Sequence, residues 1–299
     1  MPLIGISVYD LQKKYGDRRA LELARECGAD AVDFFLREEP CVEGSVYAQG
    51  DREVAAYYEE LGRYARELGL TVSQTHGRCR SFLGDAEADE ITVEKCRLDC
   101  LATAALGAPA CVIHSVATSS VGADAAPQYV RELNHTMFMR ILPFAKQYGV
   151  KIAAETFGDS PKLGCVDFFG DLQEFLGACH AIEATEYKDY FTVCVDTGHS
   201  NKAMRFGNPT PGEAIRRLGE RVTLLHLNDN DTLTDQHKMP LSGCIDWKDV
   251  LDALDEVGYQ GVYSMELSLK HFGEELMVEY AAFAVKVLRN LLQKRGNDQ

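Results

Sequence analysis

The stretch Phe191-Thr-Val-Cys-Val-Asp-Thr-Gly-His-Ser200 decides how the rest of the chain is read. Its first five residues are apolar or β-branched, the composition of a fully buried strand. The run then stops abruptly in Asp196, Thr197, Gly198 and His199. A buried strand that ends in a carboxylate and an imidazole delivers both to a place where they are used.

The same event repeats on either side. The apolar runs over 70–76, 109–114, 150–155, 222–226 and 262–266 end in His76, His114, Glu155, His226 and Glu266. Counted through Asp196, these end residues are 38, 41, 41, 30 and 40 positions apart. That is about the length of one strand–loop–helix–loop unit. Two further strands are expected over 3–8 and 31–36, the second carrying Asp33.

Helical periodicity fills the intervals, as over 51–68, 90–106, 127–148 and near 167–180, with glycines such as Gly69, Gly107 and Gly149 as stops. Strands alternating with helices predict a parallel sheet with helices outside. Eight such units predict an α/β fold, a single (β/α)8 TIM barrel with the active site at the C-terminal ends of the strands. An open doubly wound sheet is the alternative, but it does not explain ligand-type residues after six consecutive strands. One domain over 1–299 is expected, with 292–299 as a frayed polar tail.

Composition bounds the function. The 299 residues are 46% hydrophobic, enough for one sizeable core, and no linker or low-complexity segment interrupts them. No run approaches the ~18 apolar residues of a membrane span. The chain enters its first strand at once, so no signal peptide is expected. Ten cysteines without a CxxC pair, several of them inside apolar strands or helices, point to a reducing cytoplasm. A net charge of −15 without a basic stripe weighs against nucleic acid and anionic membranes as partners.

Glu155, Asp196, His226 and Glu266 end four strands in succession. Three carboxylates and one imidazole form a hard, oxygen-rich ligand set for one divalent metal ion. Mn²⁺ is the first expectation, with Mg²⁺, Co²⁺ or Zn²⁺ as alternatives. Glu155 and Glu266 lie three strands apart in an eight-strand ring and so face each other across its mouth. That placement suits proton abstraction by one catalytic carboxylate and return by the other, through an enediolate. His76 and His114 are expected to hydrogen-bond sugar hydroxyls or fill the mouth, and His199 to bind substrate. Asp235 and His237 are possible additional metal ligands. With them the set reaches nine residues, enough for a cluster of two or three ions. His135, His180 and His271 read as surface or packing residues, and Trp247 as packing or capping. Phe35, Phe82 and Phe157 are candidates for an apolar wall against a sugar ring.

At these residues the chain resembles the xylose-isomerase-like TIM barrel superfamily, in its sugar phosphate isomerase/epimerase branch. The motifs are Ala153-Ala-Glu155, Val195-Asp-Thr-Gly-His199, Leu225-His226, Asp235-x-His237, Ile245-Asp-Trp247, Gly258-Tyr-x-Gly261 and Ser264-Met-Glu266. The resemblance covers essentially the whole chain. It implies a single-metal site at Glu155, Asp196, His226 and Glu266, an acid/base pair in Glu155 and Glu266, and a substrate contact at His199. It also implies a carbohydrate substrate and pairing into a homodimer or homotetramer. Ketose 3-epimerases of the branch carry a second Glu six residues after the first and an Arg shortly after the metal His. Here those places hold Pro161 and Asn228-Asp-Asn-Asp231, a departure from that activity. Metal-dependent AP endonucleases of the same superfamily use three zinc ions, and all nine of their ligands have counterparts here.

The sequence therefore predicts a cytoplasmic, metal-dependent isomerase or epimerase acting on a small sugar or polyol derivative. A dehydratase or lyase on a keto-sugar is one alternative. A multi-zinc phosphodiesterase is the other.

Overall fold

The computed structural model describes residues 2–77 and 82–297. Eight parallel strands form the barrel: β1 (Ile4–Ser7), β2 (Ala31–Phe35), β3 (Thr71–His76), β4 (Ala110–Ile113), β5 (Lys151–Glu155), β6 (Phe191–Asp196), β7 (Val222–His226) and β8 (Tyr263–Met265). From β1 to β7 each strand pairs with the next, and β8 pairs with β1. Between β7 and β8 the ring closes through a parallel bridge of Leu227 to Met265.

Eight helices follow the strands in turn: α1 (Asp17–Glu26), α2 (Asp51–Glu67), α3 (Ala86–Leu106), α4 (Pro127–Tyr148), α5 (Leu172–Glu183), α6 (Pro211–Leu218), α7 (Trp247–Glu256) and α8 (Met277–Asn297). Their ends follow local chemistry. Asp85 caps α3 by accepting from the Ala88 amide at 2.8 Å. Gly107 ends the same helix at φ 80°, in the left-handed region that glycine occupies without strain. Three boundaries differ from the sequence reading. Helix α3 starts at Ala86, before the expected 90, because Asp85 caps it. Helix α5 starts later than expected because Asp171, not Asp167, caps it. The final helix continues to Asn297, through most of the segment 292–299 expected to fray, while 298 and 299 lie outside the described residues. No described helix is long and apolar enough to cross a membrane.

Strand register places the site. Phe35 pairs with His76, His76 with Val112, Val112 with Ala153, Glu155 with Cys194 and Asp196 with His226. Paired residues of parallel neighbours point to one face, and that face recurs at every second residue. On it, Ala110, Val112, Ala153, Cys194 and Leu224 form a small apolar cluster of their own. Two residues beyond, the same face presents His114, Glu155, Asp196 and His226. The opposite parity, with Ile6, Val32, Ile113, Ile152, Val193 and Leu225, joins the large core. The polar residues are thus the top layer of the barrel interior, resting on an apolar layer.

A short helix, Thr197–Ala203, follows β6 directly, where the sequence showed only a strand end. Gly198 within it is required sterically: a Cβ there would meet Asn228 Oδ1 at 1.9 Å. The loop after β7 is held from below by Asp229, which is fully buried. It accepts from Trp247 Nε1 at 2.8 Å and from the Ile245 amide at 3.1 Å. Trp247 is thereby a packing residue, as its sequence context suggested. Asp229→Ala leaves those buried donors unsatisfied and is expected to cost about 2–3 kcal/mol of stability. Urea unfolding followed by fluorescence of Trp247, the sole tryptophan, checks this.

Candidate active site and cation site

The ends of β1, β2, β3, β4, β5 and β8 and the loops beyond them converge on a cavity of about 440 Å³ at the C-terminal mouth of the barrel. His76, His114, Glu155, His199, Asp235, His237 and Glu266 line it. Asp196 and His226 lie just beneath, both fully buried. All nine residues singled out in the sequence therefore meet at one place.

His226 is the centre of the arrangement. Its Nδ1 lies 2.8 Å from Glu155 Oε1 and 3.5 Å from Glu266 Oε2. Its Nε2 lies 3.0 Å from Asp33 Oδ2, across the barrel. Asp196 is fixed at both oxygens: Oδ1 accepts the His199 amide at 2.7 Å as cap of the short helix, and Oδ2 accepts Asn228 Nδ2 at 2.8 Å. Glu155, Asp196, His226 and Glu266 each offer one ligand atom within 4.8 Å of the others. Two overlapping sets satisfy the same criterion, His76 with Glu155 and His226, and Asp196 with His199 and His237.

Histidines ring the carboxylates. His114 Nε2 is 3.0 Å from Glu155 Oε2. His76 Nε2 is 3.6 Å from Glu155 Oε2 and 3.7 Å from Glu266 Oε1. His237 sits 3.5 Å from Glu266 Oε2, and His199 3.6 Å from Glu155 Oε1. Asp235 bridges the outer two, 3.4 Å from His199 Nε2 and 3.3 Å from His237 Nε2. Aromatic faces hold the rings: Phe35 stacks on His76 and Phe157 on His199. Phe82 is buried in the core and forms no part of this wall.

The electrostatics follow from burial and proximity. Burial pulls Glu155 upward, yet His226, His114 and His76 hold it well below the usual carboxylate range. Glu266 is likewise pulled up by burial but held low by His226 and His237. Asp196 has weaker compensation, and burial pushes it up to about 6. Burial opposes charge on the imidazoles too, but His226 and His199 are carried well above their ordinary value by the surrounding acids. His237 rises to about 9, with Asp235 as its strongest partner against burial. His114 moves down, because desolvation outweighs Glu155. Three carboxylates this close and this buried require positive charge among them. Protons on the histidines can supply it, and so can a divalent cation, for which three carboxylate oxygens and one imidazole nitrogen are a fitting hard donor set.

Three residues of this network carried no role in the sequence reading. Asp33 stands in the apolar run Ala-Val-Asp-Phe-Phe, and a charged residue inside a buried strand was the signal available. Asn228 was read only as the absence of an arginine, whereas its amide orients Asp196. Lys202 gave no signal at all. Its Nζ is buried 2.9 Å from Asp159 Oδ1 and 3.6 Å from Asp235 Oδ1.

The family profile described as xylose isomerase-like TIM barrel matches residues 21–289. An uncharacterised protein of Methanocaldococcus jannaschii, MJ1311, is 31% identical over 142 residues, a match spanning 46% of this chain and 45% of that protein. The crystal structure of a D-tagatose 3-epimerase-like protein superposes with a TM-score of 0.75 at 20% identity, covering 99% of both chains. A structure of IolI protein with a bound zinc atom superposes at 0.68 and 16% identity, covering 96% of this chain and 95% of that one. The chain belongs to the xylose isomerase-like TIM barrel family.

Asp33 orients the imidazole that faces Glu155 and Glu266, and such partners of ligating histidines typically contribute 10–100-fold to metal affinity. Asp33→Ala is accordingly expected to weaken Mn²⁺ binding about 10–100-fold. Calorimetric titration checks this, and unchanged affinity would assign Asp33 to packing alone.

Proposed function

We propose that this member of the xylose isomerase-like family is a divalent-cation-dependent isomerase or epimerase that moves a proton on a small keto-sugar or polyol derivative. The observation that carries the reading is the pair Glu155 and Glu266. They rise from strands three apart, both meet His226 Nδ1, and both line the cavity. The likeness to a D-tagatose 3-epimerase-like protein supports a carbohydrate substrate. The zinc atom bound in the IolI structure supports a bound metal ion.

Glu155, Asp196, His226 and Glu266 would hold the cation, with Mn²⁺ our first assignment. When bound, it supplies polarisation of the substrate's oxygens. The chain's own residues do the rest. One of Glu155 and Glu266, ionised, accepts a proton from the carbon beside the carbonyl; in isomerisation the carboxylic acid so formed gives that proton to the neighbouring carbon, and in epimerisation the opposite carboxyl, having taken a proton from water, delivers it to the other face. His76, His114 and His199 present ring nitrogens to substrate hydroxyls. Phe35 and Phe157 keep those rings in place and exclude water. Loss of a β-hydroxyl in place of reprotonation would make the same residues a dehydratase or lyase. We place the protein in the cytoplasm as one domain, in keeping with cysteines such as Cys100, Cys111 and Cys194 buried as thiols inside helices and strands. We take a homodimer or homotetramer as its assembly.

Deuterium exchange tests this directly. Incubating the Mn²⁺-loaded protein with a panel of keto-sugars in D₂O should replace the proton beside the carbonyl, as read by proton NMR. Glu155→Gln and Glu266→Gln should each slow exchange by about 10²–10⁴-fold. Undiminished exchange in both variants would refute the assignment.

The two overlapping ligand sets support a second reading, a multi-zinc phosphodiesterase. Lys202 opposes it: a fixed ammonium beside Asp235 repels a further divalent cation at His199 and His237. The net charge of −15 likewise disfavours a phosphate backbone. Lys202→Met is expected to bind one more equivalent of Zn²⁺ than the unaltered protein, measured by mass spectrometry of the metal content. Equal zinc in the two would show that Lys202 does not limit the cluster.

A further inference from the structure

Strand β1 carried no candidate in the sequence, yet it too ends at the mouth. Its last residue, Ser7, lines the cavity together with Glu266, and Asp10 in the turn beyond joins the same lining. Register fixes the direction of Ser7. It pairs with Asp33, whose carboxylate reaches His226 through the barrel interior, so Ser7 faces inward as well. On the other side of β1, Ile6 pairs with Met265, which sets Ser7 beside Glu266.

The Ser7 hydroxyl is buried and unsatisfied. The residue is 4% exposed, and its Oγ makes no hydrogen bond among the described residues. Its polar neighbours in the lining are engaged. Asp10 Oδ2 accepts the Leu269 amide at 3.0 Å, His114 meets Glu155 at 3.0 Å, and Asp235 lies between His199 and His237. A buried hydroxyl without a partner is a standing cost to the fold, and native proteins keep few of them. At the wall of a substrate cavity the missing partner arrives with the substrate, and a site built in this way discriminates against analogues that lack the matching group.

The wall also sets the charge of that partner. Asp10 and Glu266 flank Ser7, and Lys270, 3.9 Å from Asp10 Oδ1, is shared with Glu274 at 3.1 Å. An anionic group laid against Ser7 would be brought beside both acids. A neutral hydroxyl suits a serine, which both donates and accepts.

We infer that Ser7 is a specificity residue whose Oγ binds one hydroxyl of the substrate. Serine is short and stands on the strand adjoining Glu266, so the bound hydroxyl is one next to the reacting carbonyl and not one at the far end of the sugar. The inference rests on the sugar isomerase reading for what enters the mouth, but its test does not depend on turnover.

Calorimetric titration of the Mn²⁺-loaded protein with D-fructose and its 1-deoxy, 3-deoxy and 6-deoxy forms provides that test. Ser7→Ala should weaken D-fructose binding about 3–10-fold, the worth of one hydrogen bond. Either the 1-deoxy or the 3-deoxy ketose should bind the unaltered protein weakly by the same factor and be indifferent to the substitution. The 6-deoxy form should behave as D-fructose does. Ser7→Ala should also leave the urea midpoint of the ligand-free protein unchanged or raised, because it removes an unsatisfied group. Equal binding of D-fructose by the two proteins would overturn the inference, and so would a weakening shared by all four ligands. A lowered midpoint would overturn it too and make Ser7 a packing residue. If the unaltered protein binds none of the four, the sugar reading fails, and the midpoint of Ser7→Ala still decides whether the hydroxyl serves the fold or a ligand.

Discussion

Like charges confined in a space from which water is excluded are the constraint on which the rest of this structure depends. Glu155, Asp196 and Glu266 bring carboxylate oxygens within 4.8 Å of one another at the top of a packed barrel. Two of the three are fully buried. Such a group is stable only when positive charge and hydrogen-bond donors are arranged around it. The arrangement is visible in every direction: His226 from below, His76 and His114 on one side, His199 and His237 on the other, and the His199 amide and Asn228 amide fixing Asp196. Lys202 extends the same compensation outward to Asp235.

The barrel supplies the geometry for this at little local expense. Parallel strands alternate their side chains, so a residue two positions past an inward apolar residue also faces inward. Ala153 precedes Glu155, Cys194 precedes Asp196 and Leu224 precedes His226 by that interval, and the apolar members close the floor of the site. Glu155, Asp196 and His226 therefore stand on rigid strand ends, the short helix after β6 adds His199, and the loops add Asp235 and His237. Asp33 lies within β2 and reaches His226 through the interior, tying the two sides of the ring together.

Much of this was legible in the sequence because two periodicities coincide. The interval of about 40 residues gives the strand–helix unit, and the end of each apolar run gives the residue it delivers. Seven of the nine candidates came from that rule, and Asp235 and His237 from their Asp-x-His spacing in the loop after β7; all nine meet at one mouth. What was not legible depends on contacts across the ring. Asp33 is 193 positions from His226, and nothing local in either segment announces their pairing. Asn228 and Lys202 act through Asp196 and Asp235, partners that only the closed barrel brings near. The short helix after β6 was hidden for a similar reason. Thr197-Gly-His199 reads as a turn, and it becomes a helix because Asp196 caps it and Gly198 packs on Asn228. At the chain's end, local polarity suggested fraying where α8 continues to Asn297.

The central claim is that Glu155, Asp196, His226 and Glu266 close around a divalent cation. Anomalous diffraction from crystals grown with Mn²⁺ tests it most directly. The account predicts one strong peak bounded by an oxygen of each of the three carboxylates and by His226 Nδ1. A map without a peak there, or with its strongest peak at His199, Asp235 and His237, would contradict it.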